Sequence, residues 1–306
     1  LSRLLKIFLT AVTFTGLYGI WQRIIGIPID PTTVDTSINI GMQGRVYSTM
    51  HDSNTYAEIL LLSLPFYAAV ILNSKTFTGK LCYGLMAVPV LLALIFTGTR
   101  SAWIAFAIAV FVFLFFKNRK LIPLIIIAAV AAFPFLPLIS PSFYNRITTI
   151  WNPNDTSIGY RGLIYRTVKP MLEDNWFTGV GLGSDAFMQI CSRYPLYTNG
   201  VVPPHSHNLF LEIWLEAGII SILSFVWFMA RMVKKCMITI FEKTDKELNH
   251  ILMSGVAAMA GISVMGLAEY VWFEGRVMLF FWAVAGFILA ALGIAAKEHR
   301  LDRTIG

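Results

Sequence analysis

Two histidines and an asparagine stand directly in front of an apolar stretch in "PPHSHNLFLEIWLEAG", Pro203 to Gly218. A histidine titrates near ~6.5 in its ordinary state, so His205 and His207 are candidates for accepting a proton at neutral pH. Asn208, just ahead of "LFLEIW", has the chemistry of a helix N-cap, whose side-chain oxygen satisfies the free N–H groups of a first turn. Two histidines two apart also suit a zinc site. No third or fourth ligand follows with convincing spacing and Cys191 is remote in sequence, so no metal is expected. Arginines supply the complementary chemistry. Arg45 in "GRVYSTMHDSN", Arg100 in "TGTRSAW", Arg161 in "IGYRGL" and Arg276 in "EYVWFEGR" each carry a permanently charged planar fork. Such a fork contacts phosphate oxygens in pairs.

The elements that must position these groups are membrane spans. The 306 residues are 57% apolar and only 13% charged, with a mean hydropathy of +0.68, far too apolar for a soluble domain of that length. Apolar runs long enough to cross the hydrocarbon core as helices fall at about Leu4–Trp21, Tyr56–Leu72, Leu81–Phe96, Ala102–Phe116, Leu121–Ile139, Leu209–Met229, Ile251–Leu267 and Val277–Ala296. The runs are continuous rather than alternating, which excludes a β-barrel. The expected fold is therefore all-α: a polytopic transmembrane bundle of about eight spans, one membrane domain over residues 1–306. The chain opens with Leu1 at the lip of a span, as a chain lacking earlier helices would, and shows no cleavable signal.

Lysine and arginine in short loops mark the cytoplasmic side. Arg3 and Lys6, Lys75 and Lys80, "KNRK" (Lys117–Lys120), "RMVKK" (Arg231–Lys235) and "KEHR" (Lys297–Arg300) all fall on one side of the eight-span topology. The opposite loops, which hold Arg45, Arg100, Arg161, His207 and Arg276, then face outward. The formal charge of +7 reflects anchoring on anionic lipid and gives no reason to expect nucleic acid as a partner. Cys82 and Cys236 lie near cytoplasmic span ends and Cys191 lies outside, so no disulfide framework is implied.

The longest outward segment, residues 140–208, is long enough to carry function. Its opening, with Pro141, Asn152, Pro153 and Asn154, suits an extended passage. "IGYRGLIYRTVKPMLED" reads as an amphipathic helix that rests Leu163, Tyr165, Val168 and Leu172 on the membrane surface and ends or kinks before Pro170. "GVGLGSDAF" reads as a close-packed turn, with phosphate contact as the minor alternative, because no βαβ unit surrounds it.

The stretch "YRGLIYRTVKPMLEDNWFTGVGLGSDAF", followed by "PHSHNLFLEIWLEAGII", resembles the signature region of the O-antigen ligase and polymerase superfamily of bacterial envelope glycosyltransferases. In that family's ligases a His followed by Asn, Ser or Gln is trailed nine residues later by Gly. Here His207 and Asn208 are trailed in that way by Gly218, and Ser221 stands where Gly, Thr or Tyr is usual. "TGTRSAW" resembles the family's Arg at the outer mouth of a span. "GRVYSTMHDSNTYAEILLLSLP" resembles its Arg-plus-Asn segment, with "DSN" in place of the commoner "NPN".

The resemblance implies a donor oligosaccharide on undecaprenyl diphosphate, an acceptor hydroxyl on a glycan, lipid or protein, no cofactor, and metal-independent, inverting transfer at the outer face of the bacterial cytoplasmic membrane. It places the base at His207 and leaving-group stabilisation at Arg100 and Arg161. Arg45, His205, Asn208 and Arg276 are then substrate-binding candidates. It also implies more helices than eight.

Each residue has a plainer alternative. Arg100 sits where a fixed cation either faces a polar cavity or snorkels to the interface. Arg161 alone would be an ordinary solvated arginine. His205, behind two prolines, either orients the loop or touches sugar. Glu212, one turn inside its span, calls for a partner, naturally an arginine. Glu269, Glu274 and Arg276 are either a solvated ion-pair rim or substrate contacts. The rival function is a lipid or polysaccharide transporter, a bundle that would carry broken, charged helices near the midplane.

Overall fold

A computed structural model describes residues 1–29, 43–151, 156–242 and 245–305. Among them there is no strand, and eight helices are long and apolar enough to cross a membrane. In chain order the helices are α1 (Ser2–Ile25), α2 (Ser53–Asn73), α3 (Phe77–Phe96), α4 (Arg100–Asn118), α5 (Leu121–Ala132), α6 (Leu136–Ile139), α7 (Pro141–Thr148), α8 (Thr156–Asn175), α9 (Ser184–Cys191), α10 (Leu209–Phe241), α11 (Lys246–Met265) and α12 (Gly275–Ile305). The chain is a multi-pass membrane protein, and every expected span is present. Most run past their apolar runs because polar caps extend them: Asp52 accepts from the Thr55 N–H, Thr76 from Gly79, and Asp245 from Glu247 and Leu248. The fifth span is the exception. It consists of α5, a 3₁₀ turn (Phe133–Phe135) and α6, because Pro134 and Pro137 withdraw donors from the helical ladder.

α2 and α11 form the centre, with most of their apolar stretches buried. α4 lays a stripe of small residues, Ala102, Ala105 and Ala109, against α11. Small side chains let helix backbones approach closely where lipid supplies no hydrophobic drive. α5 has no buried residue and is apolar all round, as a helix facing lipid should be.

The segment between the fifth and sixth spans departs from expectation in three places. Its start is helical rather than extended: Ser140 caps α7 and Pro141 occupies the first turn, where its missing N–H costs nothing. Asn152, Pro153 and Asn154 lie outside the described residues. α8 runs through Pro170 to Asn175. Its buried face is Ile164, Thr167, Val168 and Met171, not the Leu163–Leu172 face expected on the membrane surface. That face closes a second small core with Phe187, Cys191 and Leu215, so protein rather than lipid covers it.

α10 breaks at Gly218, whose φ of 77° and ψ of −176° interrupt the helix. A break frees carbonyls that the next turn would have bonded. The "GVGLG" turn fills them: Val180 N–H donates to Leu215 O at 2.7 Å and Gly181 N–H to Glu216 O at 3.0 Å. Gly183 N–H donates to the Glu216 carboxylate at 2.9 Å. The close-packed reading of the turn holds, and these amides are committed to protein. Ser221, the departure from the family pattern, bridges the same break, its hydroxyl donating at 2.8 Å to Ile213 O and at 2.7 Å to Gly218 O.

Candidate functional site

Six chain segments converge at one end of the bundle: the stretch leading into α2, the α3–α4 turn, the end of α7, the start of α8, the turn ahead of α10 and the α11–α12 connection. The basic clusters around Lys75, Lys117 and Arg231 lie toward the other end.

Asn208 caps α10, its Oδ1 accepting from the Phe210 and Leu211 N–H groups at 3.0 Å each. Its Nδ2 donates to Leu267 O at 3.0 Å, so both ends of the amide are engaged within the protein. The preceding His207 takes a left-handed φ of 53°, a conformation that costs a side-chain-bearing residue energy unless its surroundings fix it. They do: His207 N–H donates to His205 Nδ1 at 3.1 Å, and Ser206 N–H to Glu212 Oε2 at 2.6 Å. The Tyr165 hydroxyl donates to His207 O at 3.4 Å. Glu212 therefore has a backbone amide as its partner, not the arginine expected, because the tight turn ahead of α10 brings Ser206 over the first helical turn.

His205 is buried between the rings of His207 and Phe273, with centroids 4.2 and 4.4 Å away. Burial, with His207 and Arg161 nearby, lowers it to about 3. Its Nδ1 accepts from the loop's own backbone, in keeping with the loop-orienting side of the alternative.

Glu269 is the centre of the arrangement. Only 5% exposed, it takes Arg161 on one carboxylate oxygen and His207 Nδ1 on the other, the latter at 3.3 Å. Arg161 Nε also donates to Ala268 O at 2.9 Å. Burial pushes the Glu269 carboxyl up, but Arg161, the His207 hydrogen bond and Arg45 outweigh it and hold the group below its usual range. Glu269 is therefore no solvated rim residue, whereas Glu274 and Arg276 form a half-exposed pair at 3.7 Å. Arg276 sits at the same end of the bundle and donates to Thr49 O at 3.1 Å. It lines neither of the cavities described next.

Two adjoining cavities meet at this cluster. The smaller, about 170 Å³, is walled by Arg45, Arg100, Arg146 and Arg161, with Glu269 at its edge. The larger, about 650 Å³, shares Arg45, Asn54, Ser157 and Arg161 with it and adds Asp52, Tyr160 and His207. Arg45 is buried and fixed by Thr97 O at 2.7 Å, Asn54 Oδ1 at 2.5 Å and Thr99 Oγ1 at 2.9 Å. Arg100 donates to Thr149 O at 2.9 Å, and Arg146 Nε to Gly98 O at 3.2 Å. The structure thus brings together Arg45, Arg100, Arg161 and His207, backs them with His205 and Asn208, and leaves Arg276 at the margin.

Sequence reasoning missed Arg146, met Asn54 only within the Arg-plus-Asn segment, and left Glu269 open between a solvated rim and a substrate contact. Glu269 had a usable signal: a carboxylate three residues after Gly266 at a span mouth, on the side where arginines collect. Arg146 had none, because an arginine in an irregular segment reads as solvated. Among the described residues no three His, Cys, Asp or Glu side chains gather as a metal-ligand group.

No curated protein matches the chain. The family model described as O-antigen ligase matches residues 85–226, a stretch from α3 into α10 that contains Arg100, Arg146, Arg161, His207 and the Gly218 break. Taken with the membrane bundle and the cluster just described, that match supports the O-antigen ligase and polymerase superfamily as the family of this chain.

Proposed function

We propose that the protein is a membrane glycosyltransferase of a single membrane domain, with residues 140–208 closing over its site. It moves an oligosaccharide from undecaprenyl diphosphate to an acceptor hydroxyl on a glycan, lipid or protein. The observation that carries this reading is Glu269 joining Arg161 and His207 at the wall between two cavities. A carboxylate can only accept, so His207 donates through Nδ1 and turns Nε2 toward the larger cavity as a base. The acceptor oxygen loses its proton to Nε2 and forms a bond to the anomeric carbon. The bond from that carbon to the diphosphate oxygen breaks, and its electron pair leaves with the diphosphate. Attack from the side opposite the leaving group inverts the centre.

Arg45, Arg100 and Arg161 face the cavity where that charge develops, so the neutralisation a divalent ion could perform falls to guanidinium groups. An apolar cavity of about 570 Å³ between α4, α10 and α11, lined by Phe116, Phe210 and Met229 among others, suits the isoprenoid chain. The basic clusters at the opposite end favour a site on the extracytoplasmic face of the bacterial cytoplasmic membrane. The test is the full chain in nanodiscs, incubated with undecaprenyl-diphosphate oligosaccharide, an acceptor and excess chelator. Transferred product that is lost in His207→Ala is expected. Movement of intact donor between leaflets of a vesicle without any transferred product would instead identify a transporter.

A further inference from the structure

We infer that the 650 Å³ cavity is a carbohydrate subsite, in which Tyr160 supplies the stacking face and Asp52 the hydroxyl acceptor, distinct from the arginine-walled cavity that takes the diphosphate. This rests on the transferase reading above, and it assigns the two ends of the reacting pair to two different walls.

The assignment follows from the polarity of the groups. A diphosphate offers only acceptors and carries negative charge, so it needs donors, and four guanidinium groups surround the smaller cavity. A sugar hydroxyl must also donate. Of the residues lining the larger cavity, Asp52 is the one carboxylate, and it would repel phosphate while accepting strongly from a hydroxyl. Its Oδ1 caps α2 by accepting from the Thr55 N–H at 2.8 Å, which leaves Oδ2 for a ligand. The carboxamide of Asn54, on the shared wall, is already engaged: its Oδ1 takes Arg45 and its Nδ2 reaches Glu269 at 3.3 Å.

Tyr160 is 38% exposed and lines the cavity, one turn ahead of Ile164 where the buried face of α8 runs out toward the site. Its ring stands at 76° to that of His207 with centroids 6.4 Å apart. A large aromatic held out of the core beside a base, with a carboxylate across the cavity, matches the apolar face and the hydroxyl edge of a pyranose ring. The cavity has the volume of ordinary small-ligand sites, roughly 300–1,000 Å³. A sugar lying on Tyr160 presents its hydroxyl to His207, and the shared wall of Arg45 and Arg161 puts the diphosphate on the far side of the anomeric carbon.

The test uses the full chain in nanodiscs and two probes. Methyl β-galactoside, methyl β-glucoside, methyl β-N-acetylglucosaminide and lactose are followed by saturation-transfer NMR, and inorganic pyrophosphate by ³¹P NMR. At least one glycoside is expected to bind. Its affinity should fall about three- to tenfold in Tyr160→Ala, as for loss of one aromatic contact, and recover in Tyr160→Phe. Asp52→Asn, which keeps a competent helix cap, should weaken the glycoside and leave pyrophosphate binding equal or tighter. Retained pyrophosphate binding shows that the variants fold. Absence of binding by all four glycosides, equal glycoside binding in wild type and both variants, or loss of pyrophosphate in step with glycoside in Tyr160→Ala would overturn the subsite. Glycoside binding without transfer would instead remove the enzymatic reading and leave the subsite standing.

Discussion

At the scale of residues, the two histidines divide into one that lines the larger cavity and one buried in protein. His207→Ala should lower transfer by about 10²–10⁴-fold while donor binding survives, as for loss of a general base. His205→Ala should cost only about five- to tenfold, because it removes one hydrogen bond that shapes the turn. His205→Asn should restore most of that loss, since Asn Oδ1 can accept from the same N–H; single-turnover rates of the three variants decide. If His205→Ala is dead and His207→Ala active, the base is misassigned. His205 also makes stability depend on pH. Its folded value near 3 lies below the ordinary ~6.5, so the unfolded chain binds a proton that the folded chain refuses. The stability contributed by neutral His205 is complete above about 6.5 and declines as pH falls toward 3, by at most ~1.4 kcal/mol per pH unit. Melting temperatures between pH 7 and 4 should fall less steeply in His205→Asn than in wild type. The split between the histidines was half legible in the sequence. The cap at Asn208 and the stiffening by Pro203 and Pro204 could be read, but the left-handed turn that aims one ring outward and the other inward also depends on Tyr165 and Leu267, which only folding brings near.

At the scale of elements, the spans were readable because lipid demands long continuous apolar runs; all eight lie on their expected runs, although α10 and α12 run well past the expected ends at Met229 and Ala296. What failed was the faces of the helices outside the membrane. α8 contains apolar side chains on more than one face, so its pattern could not decide whether Val168 packs with Leu163 and Leu172 or with Ile164 and Met171; α9 and Leu215 decided it. Pro141 was read as a turn former although Ser-Pro is also a helix start. Gly218 is the position where backbone conformation matters most. A Cβ there would stand 1.9 Å from Phe177 O, at a φ that disfavours any side chain. Gly218→Ala should therefore destabilise by about 2–4 kcal/mol, the sum of left-handed strain and overpacking. Unfolding in detergent, followed by tryptophan fluorescence, measures it. A variant as stable as wild type would mean that the break in α10 is not held by the "GVGLG" turn.

At the scale of the molecule, charge decides how the bundle sits in the membrane. A cysteine at Val201, exposed at the site end, should react with an impermeant thiol reagent in intact cells, and one at Asn118 should be protected, in a Cys82→Ser background because Cys82 is exposed. The reverse pattern would turn the site toward the cytoplasm and end the proposed chemistry. The second core has a consequence of its own. α8 and α9 rest on six buried side chains, Ile164, Val168, Met171, Phe187, Cys191 and Leu215, while the spans share a far larger core. The first turns of α10 belong to both, with Leu209 and Ile213 facing the large one and Leu215 the small one. Arg161 rides on the smaller unit and Glu269 on the larger, so their ion pair crosses the seam. Units of such different size open with different free energies. Heating should therefore inactivate the protein before it melts: activity lost on a brief incubation should disappear at a temperature where circular dichroism still reports a nearly intact helical bundle, and cooling should bring it back as α8 and α9 redock.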